Sequence, residues 1–298
     1  MMEKTFNKVA VLMGGPSSER DVSLRSGAAI AKGLRQAGYS VSEVDVTVRQ
    51  LNVPEGIEAV FIALHGEFGE DGTVQDLLRQ KGIPYTGSGP EASRLAFDKA
   101  ASKKVLGKNN IPTPAWEILD HSHSRRIPVP LVVKPSRQGS SIGVHLVFED
   151  GQWVAAFEDV LAYDREVLVE AYIDGHELTV GVVNGQVLPV IEIRAPDGFY
   201  NYNAKYSRGL TEYLVPAPLD EAVTRACQDY ALRTFEVLGC AGMGRVDLRM
   251  NSKGELFVLE LNSIPGFTET SLLPKAAAAA GISFPDLCDR ILRSASVH

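Results

Sequence analysis

The run KVAVLMGG (residues 8–15) is apolar throughout and ends on glycines, which predicts a buried strand. SERDVSLRSGAAIAKGLRQAG follows with small and apolar residues at helical spacing and closes at Gly38. VSEVDV and IEAVFIALHG read as further strands, and DGTVQDLLRQKG as a helix before IPYTG. Strand and helix in alternation predict a parallel sheet with helices on both faces, with ligands held beyond the carboxyl ends of its strands, where GGPSSER and LHGEFGEDG begin. After a helix around Asp98–Leu106, the prolines of NIPTPAW mark a linker. From PLVVKPSRQGSSIGVHLV to REVLVEAYIDGHELTV the pattern is short strands around one helix. From VGVVNGQVLPVIEI onward it becomes long antiparallel strands, a loop rich in tyrosine and asparagine, a helix over 221–238, a hairpin and a last helix beginning near Phe284. The alanine run 276–280 extends a helix, alanine being the best helix former. Three units are expected, 1–95, 96–180 and 181–298, an α/β unit followed by two α+β units.

The hairpin GRVDLRMNSKGELFVLELNSIPG (244–266) sets polar groups among apolar ones. With NSKG as a four-residue turn, Met250 pairs with Glu255, and the period of two puts Val246, Leu248, Met250, Phe257, Leu259 and Leu261 on the core face. Arg245, Asp247, Val258, Glu260 and Asn262 share the other, with Asp247 opposite Val258 and diagonal to Glu260. Two carboxylates that close repel unless a cation lies between them, so this face reads as a site for a hard metal ion.

Composition narrows the function classes. With 298 residues, 30 basic and 37 acidic side chains, the formal net charge is −7, and no basic stripe interleaved with aromatics appears. Nucleic acid is therefore not an expected partner, although a local basic pocket for a small phosphate ligand is compatible with that balance. The three cysteines, Cys227, Cys240 and Cys288, are widely spaced and form no CxxC pair, which points to a reducing compartment and no thiolate metal site. No stretch approaches 18 apolar residues, so a soluble, cytoplasmic protein is expected, with no membrane partner.

Several loops carry candidate chemistry. KPSRQGSSIGV (134–144) is not a Walker A sequence and precedes no helix; it reads either as an ordinary hairpin loop or as a Gly/Ser loop that shuts over a triphosphate. GGPSSER lacks the GxGxxG spacing, and its Glu19 would repel a pyrophosphate but attract an ammonium group. Lys205 and Tyr206 stand together in NYNAKYSRG, His65 stands at a strand end in LHGEFGEDG, and Ser271 stands at a helix start in PGFTETSLLP. Each has a plain structural reading: a solvated lysine, a satisfied histidine, an N-cap serine.

In order, GGPSSERDVSL, LHGEFGEDGTVQ, PYTGSG, FDKAASK, VVKPSRQGSSIGV, EVLVEAYIDGHELTV, YNYNAKY, GMGRVDLRM and LELNSIPGFTETSLLP resemble the D-alanine:D-alanine ligase family of ATP-grasp enzymes, from about Lys8 to the last helix. The resemblance implies an ATP-grasp architecture in which two α+β units sandwich ATP. It implies ATP-dependent joining of two D-alanine molecules through an acyl phosphate, for peptidoglycan precursor synthesis, by a homodimer. It implies that Asp247, Glu260 and Asn262 hold two Mg2+ ions, with Mn2+ as a substitute. Lys99, Lys134 and Ser141 would face the phosphates; Glu170, the backbone of Ala171 and Ile173, and Glu177 would hold adenine and ribose. Glu19, with His65 nearby, would bind the first D-alanine, linked to Ser140 and Tyr206. Lys205 would reach the γ-phosphate, Arg245 and the Gly266 N–H would stabilise the oxyanion, and Ser271 would take the second carboxylate.

Two positions depart from the family's usual residues, Ser263 for threonine and Phe267 for methionine, and Phe267 is expected beside the second substrate. The alternatives are another ATP-grasp carboxylate–amine ligase, including one joining D-alanine to D-lactate or D-serine, and a noncatalytic nucleotide-binding protein on the same fold. Tyr206 favours the dipeptide. Lys205, Arg245 and the three metal-ligand positions speak against a noncatalytic protein.

Overall fold

The structure, a computed structural model, describes residues 5–120, 123–195 and 211–298. The first unit holds the expected parallel sheet: β1 (Lys8–Gly14) lies between β2 (Ser40–Val46) and β3 (Ala59–Ile62). Helix α1 (Arg20–Gln36) covers it with Gly27, Ile30, Ala31 and Leu34, the i, i+3, i+4, i+7 stripe of a half-buried helix. Gly27 allows the close approach, since a Cβ there would stand 2.4 Å from that of Met13. Three helices follow, α2 (Thr73–Gln80), α3 (Pro90–Phe97) and α4 (Lys99–Lys108). Asp98 starts α4 by accepting the Ala101 N–H at 2.9 Å, and so fixes Lys99 as its first residue.

A four-stranded antiparallel sheet comes next, in the order β4 (Trp116–Leu119), β7 (Val167–Ala171), β5 (Leu131–Pro135), β6 (His145–Val147), with α5 (Trp153–Leu161) packed on it. The KPSRQGSSIGV loop joins β5 to β6. The third sheet runs β11 (Glu212–Leu214), β10 (Ile191–Arg194), β8 (His176–Val183), β12 (Met243–Met250), β13 (Leu256–Asn262), with β9 (Gln186–Val187) beside β8. The strand in GHELTV is thus part of the third sheet, where β8 pairs with β12 from His176↔Met250 to Val183↔Met243. Helix α6 (Glu221–Val237) covers this sheet, and Ala96, Leu106 and Ile111 from the α3–α4 region enter the same core. The chain closes with α7 (Leu272–Ala279) and α8 (Phe284–Arg293); α8 returns to the first unit, where Cys288 meets α1 at Gly33. Among the described residues no helix is long and apolar enough to cross a membrane.

The β12–β13 register corrects the sequence reading. Met250 pairs with Leu256, Leu248 with Val258, and Asp247 with Glu260, so Leu259 is an unpaired extra residue, a β-bulge. Val258 and Leu256 are therefore in the core, while Leu259 lines the cleft beside Glu260.

Candidate active site

A cleft opens between the second and third sheets, lined by Lys99, Lys134, Ser141, Glu177, Asp247 and Glu260 among others. Lys134 ends β5 deep in it, its Nζ 2.6 Å from Glu170 Oε2, and Lys103 Nζ lies 2.5 Å from Glu170 Oε1. All three side chains are almost fully buried. Burial works to raise the Glu170 pKa, but the two ammonium groups hold it below the ordinary carboxylate range. Burial works to lower Lys134, yet Glu170 and Glu260 together keep it above the ordinary lysine range, whereas burial prevails at Lys103, which lies below it. One carboxylate thus serves two lysines, Oε1 facing Lys103 and Oε2 facing Lys134, and Glu170, expected at the adenine, also borders the cleft.

Lys99 donates to the carbonyl of Gln138 at 2.6 Å, in the loop above the cleft, and lies 3.4 Å from Glu260 Oε2. Glu260 and Asp247 are opposite each other on the cleft face of the hairpin. Asp247 takes the Arg245 guanidinium on both oxygens, at 2.8 and 2.7 Å, the Thr179 hydroxyl at 2.6 Å and the Asn262 amide N–H at 3.1 Å. Asp247, Glu260 and Asn262 offer oxygen donors without imidazole or thiolate, a set that suits Mg2+ or Mn2+. On the same strand Arg249 donates to the Ile173 carbonyl at 3.0 Å and to Glu177 at 3.1 Å, and its guanidinium lies over the Tyr172 ring. It thereby fixes the segment on which Ala171, Ile173 and Glu177 border the cleft.

At the carboxyl ends of β1 and β3 the Ser17 hydroxyl donates to the His65 carbonyl at 2.7 Å and accepts the Glu19 N–H at 3.2 Å. Ser140, in the left-handed region at φ 50°, donates to Glu19 Oε1 and so ties the loop of the second sheet to the first. Gly139 brings the loop backbone close to this carboxylate: a Cβ on it would stand 2.6 Å from Glu19 Oε2. His65 is buried, its pKa pushed down by that burial, and both ring nitrogens are engaged by the protein: Nδ1 with the Ile264 carbonyl at 2.9 Å, Nε2 with Ser26 Oγ at 3.3 Å. Gly266 faces Ser271, whose Oγ lies 3.5 Å from where a Gly266 Cβ would be. Ser271 does stand at the N-cap of α7, but its hydroxyl accepts the Thr268 N–H at 3.0 Å and makes no bond to the helix amides.

Phe267 differs from expectation. Its ring is 1 % exposed and packs against Phe61 and Phe284 in the core, with centroids 5.8 and 5.6 Å away, so only its backbone is near the site. Lys205 and Tyr206 lie outside the described residues. The sequence reading also passed over Lys103, Glu70 and Arg249. Lys103 is four residues after Lys99 on α4, hence on the same helical face, and Arg249 follows Asp247 by two in the strand. Glu70 is buried between the loops, accepts the Gly66 N–H at 2.7 Å, and has its pKa pushed up to about 8 by burial and by the nearby Glu19 charge.

Residues 42–88 match the family model described as D-ala D-ala ligase N-terminus, and residues 104–293 the one described as D-ala D-ala ligase C-terminus. The chain is 50% identical over 296 residues to a D-alanine–D-alanine ligase of Syntrophotalea carbinolica, covering 98% of this chain and 97% of that one. It is 47% identical over 284 residues to the enzyme of that name from Methylacidiphilum infernorum, covering 95% and 94%. The crystal structure of the Bacillus anthracis D-alanine–D-alanine ligase complexed with ATP superposes with a TM-score of 0.85 at 33% identity, covering 97% of each chain. With this fold, these matches and this coverage, the chain belongs to the D-alanine–D-alanine ligase family.

Proposed function

We propose that this enzyme uses ATP to join two molecules of D-alanine into D-alanyl-D-alanine, releasing ADP and phosphate. The observation that carries the reading is the link from Glu19 through Ser140 into the loop that also holds Lys99 at Gln138. That loop connects a carboxylate fit for an amino acid's ammonium group to a lysine-lined cleft fit for a triphosphate. The Bacillus anthracis structure, described as complexed with ATP, supports ATP as the nucleotide.

In this reading Lys99 and Lys134 bind phosphate oxygens, and Glu170 keeps Lys134 charged and aimed. Glu177, steadied by Arg249, receives the ribose hydroxyls. Asp247, Glu260 and Asn262 would hold Mg2+, which when bound would neutralise phosphate charge. Glu19 takes the ammonium group of the first D-alanine and sets its carboxylate in line with the γ-phosphorus. That carboxylate oxygen bonds to phosphorus as the bond to the ADP oxygen breaks, giving an acyl phosphate. The second D-alanine, its carboxylate at Ser271, attacks the acyl carbon through its amine after losing a proton. Arg245 and the Gly266 N–H stabilise the tetrahedral oxyanion, about 3 kcal/mol for each well-placed donor. Phosphate then leaves with the former carboxylate oxygen. We assign Lys205 to the γ-phosphate and Tyr206 to the bond network of Ser140 and Glu19.

The test is ADP formation in the presence of Mg2+ with single amino acids. D-Alanine should trigger it with stoichiometric dipeptide, and L-alanine should not; equal turnover with L-alanine would overturn the assignment.

A further inference from the structure

The turn Ile264–Phe267 bears the Gly266 N–H and is anchored by side chains from the first unit. His65 Nδ1 is 2.9 Å from the Ile264 carbonyl. A carbonyl only accepts, so Nδ1 carries a proton, and on the buried neutral ring Nε2 is an acceptor. Its partner, Ser26 Oγ at 3.3 Å, donates to Nε2 and accepts the Phe267 N–H at 3.1 Å. Glu70, on the same loop as His65, accepts the Gly66 N–H at 2.7 Å. The Ile264 carbonyl and the amide that follows Gly266 are therefore held by two buried side chains, His65 from the loop after β3 and Ser26 from α1. The same loop is joined to the Glu19 segment through Ser17.

We propose that Ser26 is a positioning residue that aims the Gly266 N–H at the developing oxyanion, directly through Phe267 and indirectly through His65. The proposal rests on the reading of Gly266 as an oxyanion donor. The hydroxyl touches no substrate; it fixes the peptide on one side of Gly266 while His65 holds the Ile264 carbonyl on the other. The first unit, which binds the first D-alanine, thereby also sets the geometry of the third unit's catalytic turn. Alanine at position 26 removes both bonds from the hydroxyl and leaves the buried Phe267 amide without a partner.

The experiment compares two ligands on the full-length enzyme with ADP and Mg2+: a phosphinate analogue of the dipeptide, tetrahedral and anionic at the reacting centre, and D-alanyl-D-alanine itself. Wild type should bind the phosphinate roughly 100-fold or more tightly than the planar dipeptide. Ser26→Ala should lose about tenfold of that preference and about tenfold in kcat, with KM for ATP unchanged. His65→Asn, which keeps a donor to the Ile264 carbonyl but not the link to Ser26, should lose a similar factor and serves as the test if the alanine variant does not fold. The 15N shifts of His65 should show the Nδ1–H tautomer in wild type. No phosphinate preference in wild type would overturn the oxyanion reading itself. A wild-type preference retained in both variants would overturn only the role of Ser26.

Discussion

Asp247 and Glu260 face each other across β12 and β13, and the unpaired Leu259 beside them lets two consecutive residues of β13 serve the cleft. The opposed carboxylates draw Arg245 and Lys99 onto the hairpin. Replacing one carboxylate should therefore injure metal binding without touching the apolar face. Glu260→Gln should lower kcat by roughly 100-fold and raise the Mg2+ requirement, with an unchanged urea midpoint. Titration of activity with Mg2+ checks this; full activity at saturating metal would place the ions elsewhere.

In the proposed reading Gly139 bears on the first D-alanine through Glu19. A methyl group there would stand 2.6 Å from Glu19 Oε2, and the carboxylate, at the end of a flexible side chain, can swing away at little cost to the fold. Gly139→Ala should raise KM for D-alanine about tenfold or more while nucleotide affinity and thermal stability change little. Steady-state kinetics with each substrate varied separately would reveal it, and parallel losses for ATP and D-alanine would contradict the account.

The Lys103–Glu170–Lys134 triad sets an order of stabilities. Lys103→Met leaves Glu170 paired with Lys134 and should cost about 3 kcal/mol. Glu170→Gln leaves two buried ammonium groups facing one amide and should cost more, and the two changes combined should be less harmful than their sum. Urea denaturation of the two single variants and the double variant measures the order; the reverse ranking would show that the buried charges are paired differently.

How much of this was legible in the sequence differs by element. The parallel sheet, α1 and the face of β12 bearing Val246, Leu248 and Met250 follow from periodicity, because each has a single buried side and no irregularity. The partner strand was assigned to the wrong face over Phe257–Leu259 because a bulge breaks the alternation on which face assignment depends. The pairing of Glu170 with Lys103 was not legible in the sequence, since that lysine comes from a helix far off in the chain. Phe267 was expected beside the second substrate through the family resemblance, whereas its ring packs in the core onto Phe61 and Phe284. The pairing of Ser140 with Glu19, 121 positions apart, became an expectation only through the family resemblance.

Glu70 gives the enzyme a pH signature. Its folded pKa is raised to about 8 from the ordinary carboxyl range, so the folded state holds a proton that the unfolded chain releases. Its contribution is fully present below the unfolded value and is lost as pH rises toward about 8. Glu70→Gln cannot ionise, so its stability relative to wild type should improve across that window, by an amount on the order of a few kcal/mol. Urea denaturation of the ligand-free protein between pH 5 and pH 8 tests the sign; a difference independent of pH would show that Glu70 ionises normally.

The central claim, that a D-alanine carboxylate is activated as an acyl phosphate before the second amine attacks, is tested most directly by oxygen transfer. D-Alanine labelled with 18O in both carboxylate oxygens would be turned over with unlabelled ATP and Mg2+, and the phosphate and dipeptide analysed by mass spectrometry. The account predicts one 18O in each phosphate released, with the other label of that carboxylate retained in the carbonyl of the new peptide bond. Unlabelled phosphate, with both dipeptide and ADP formed, would contradict it.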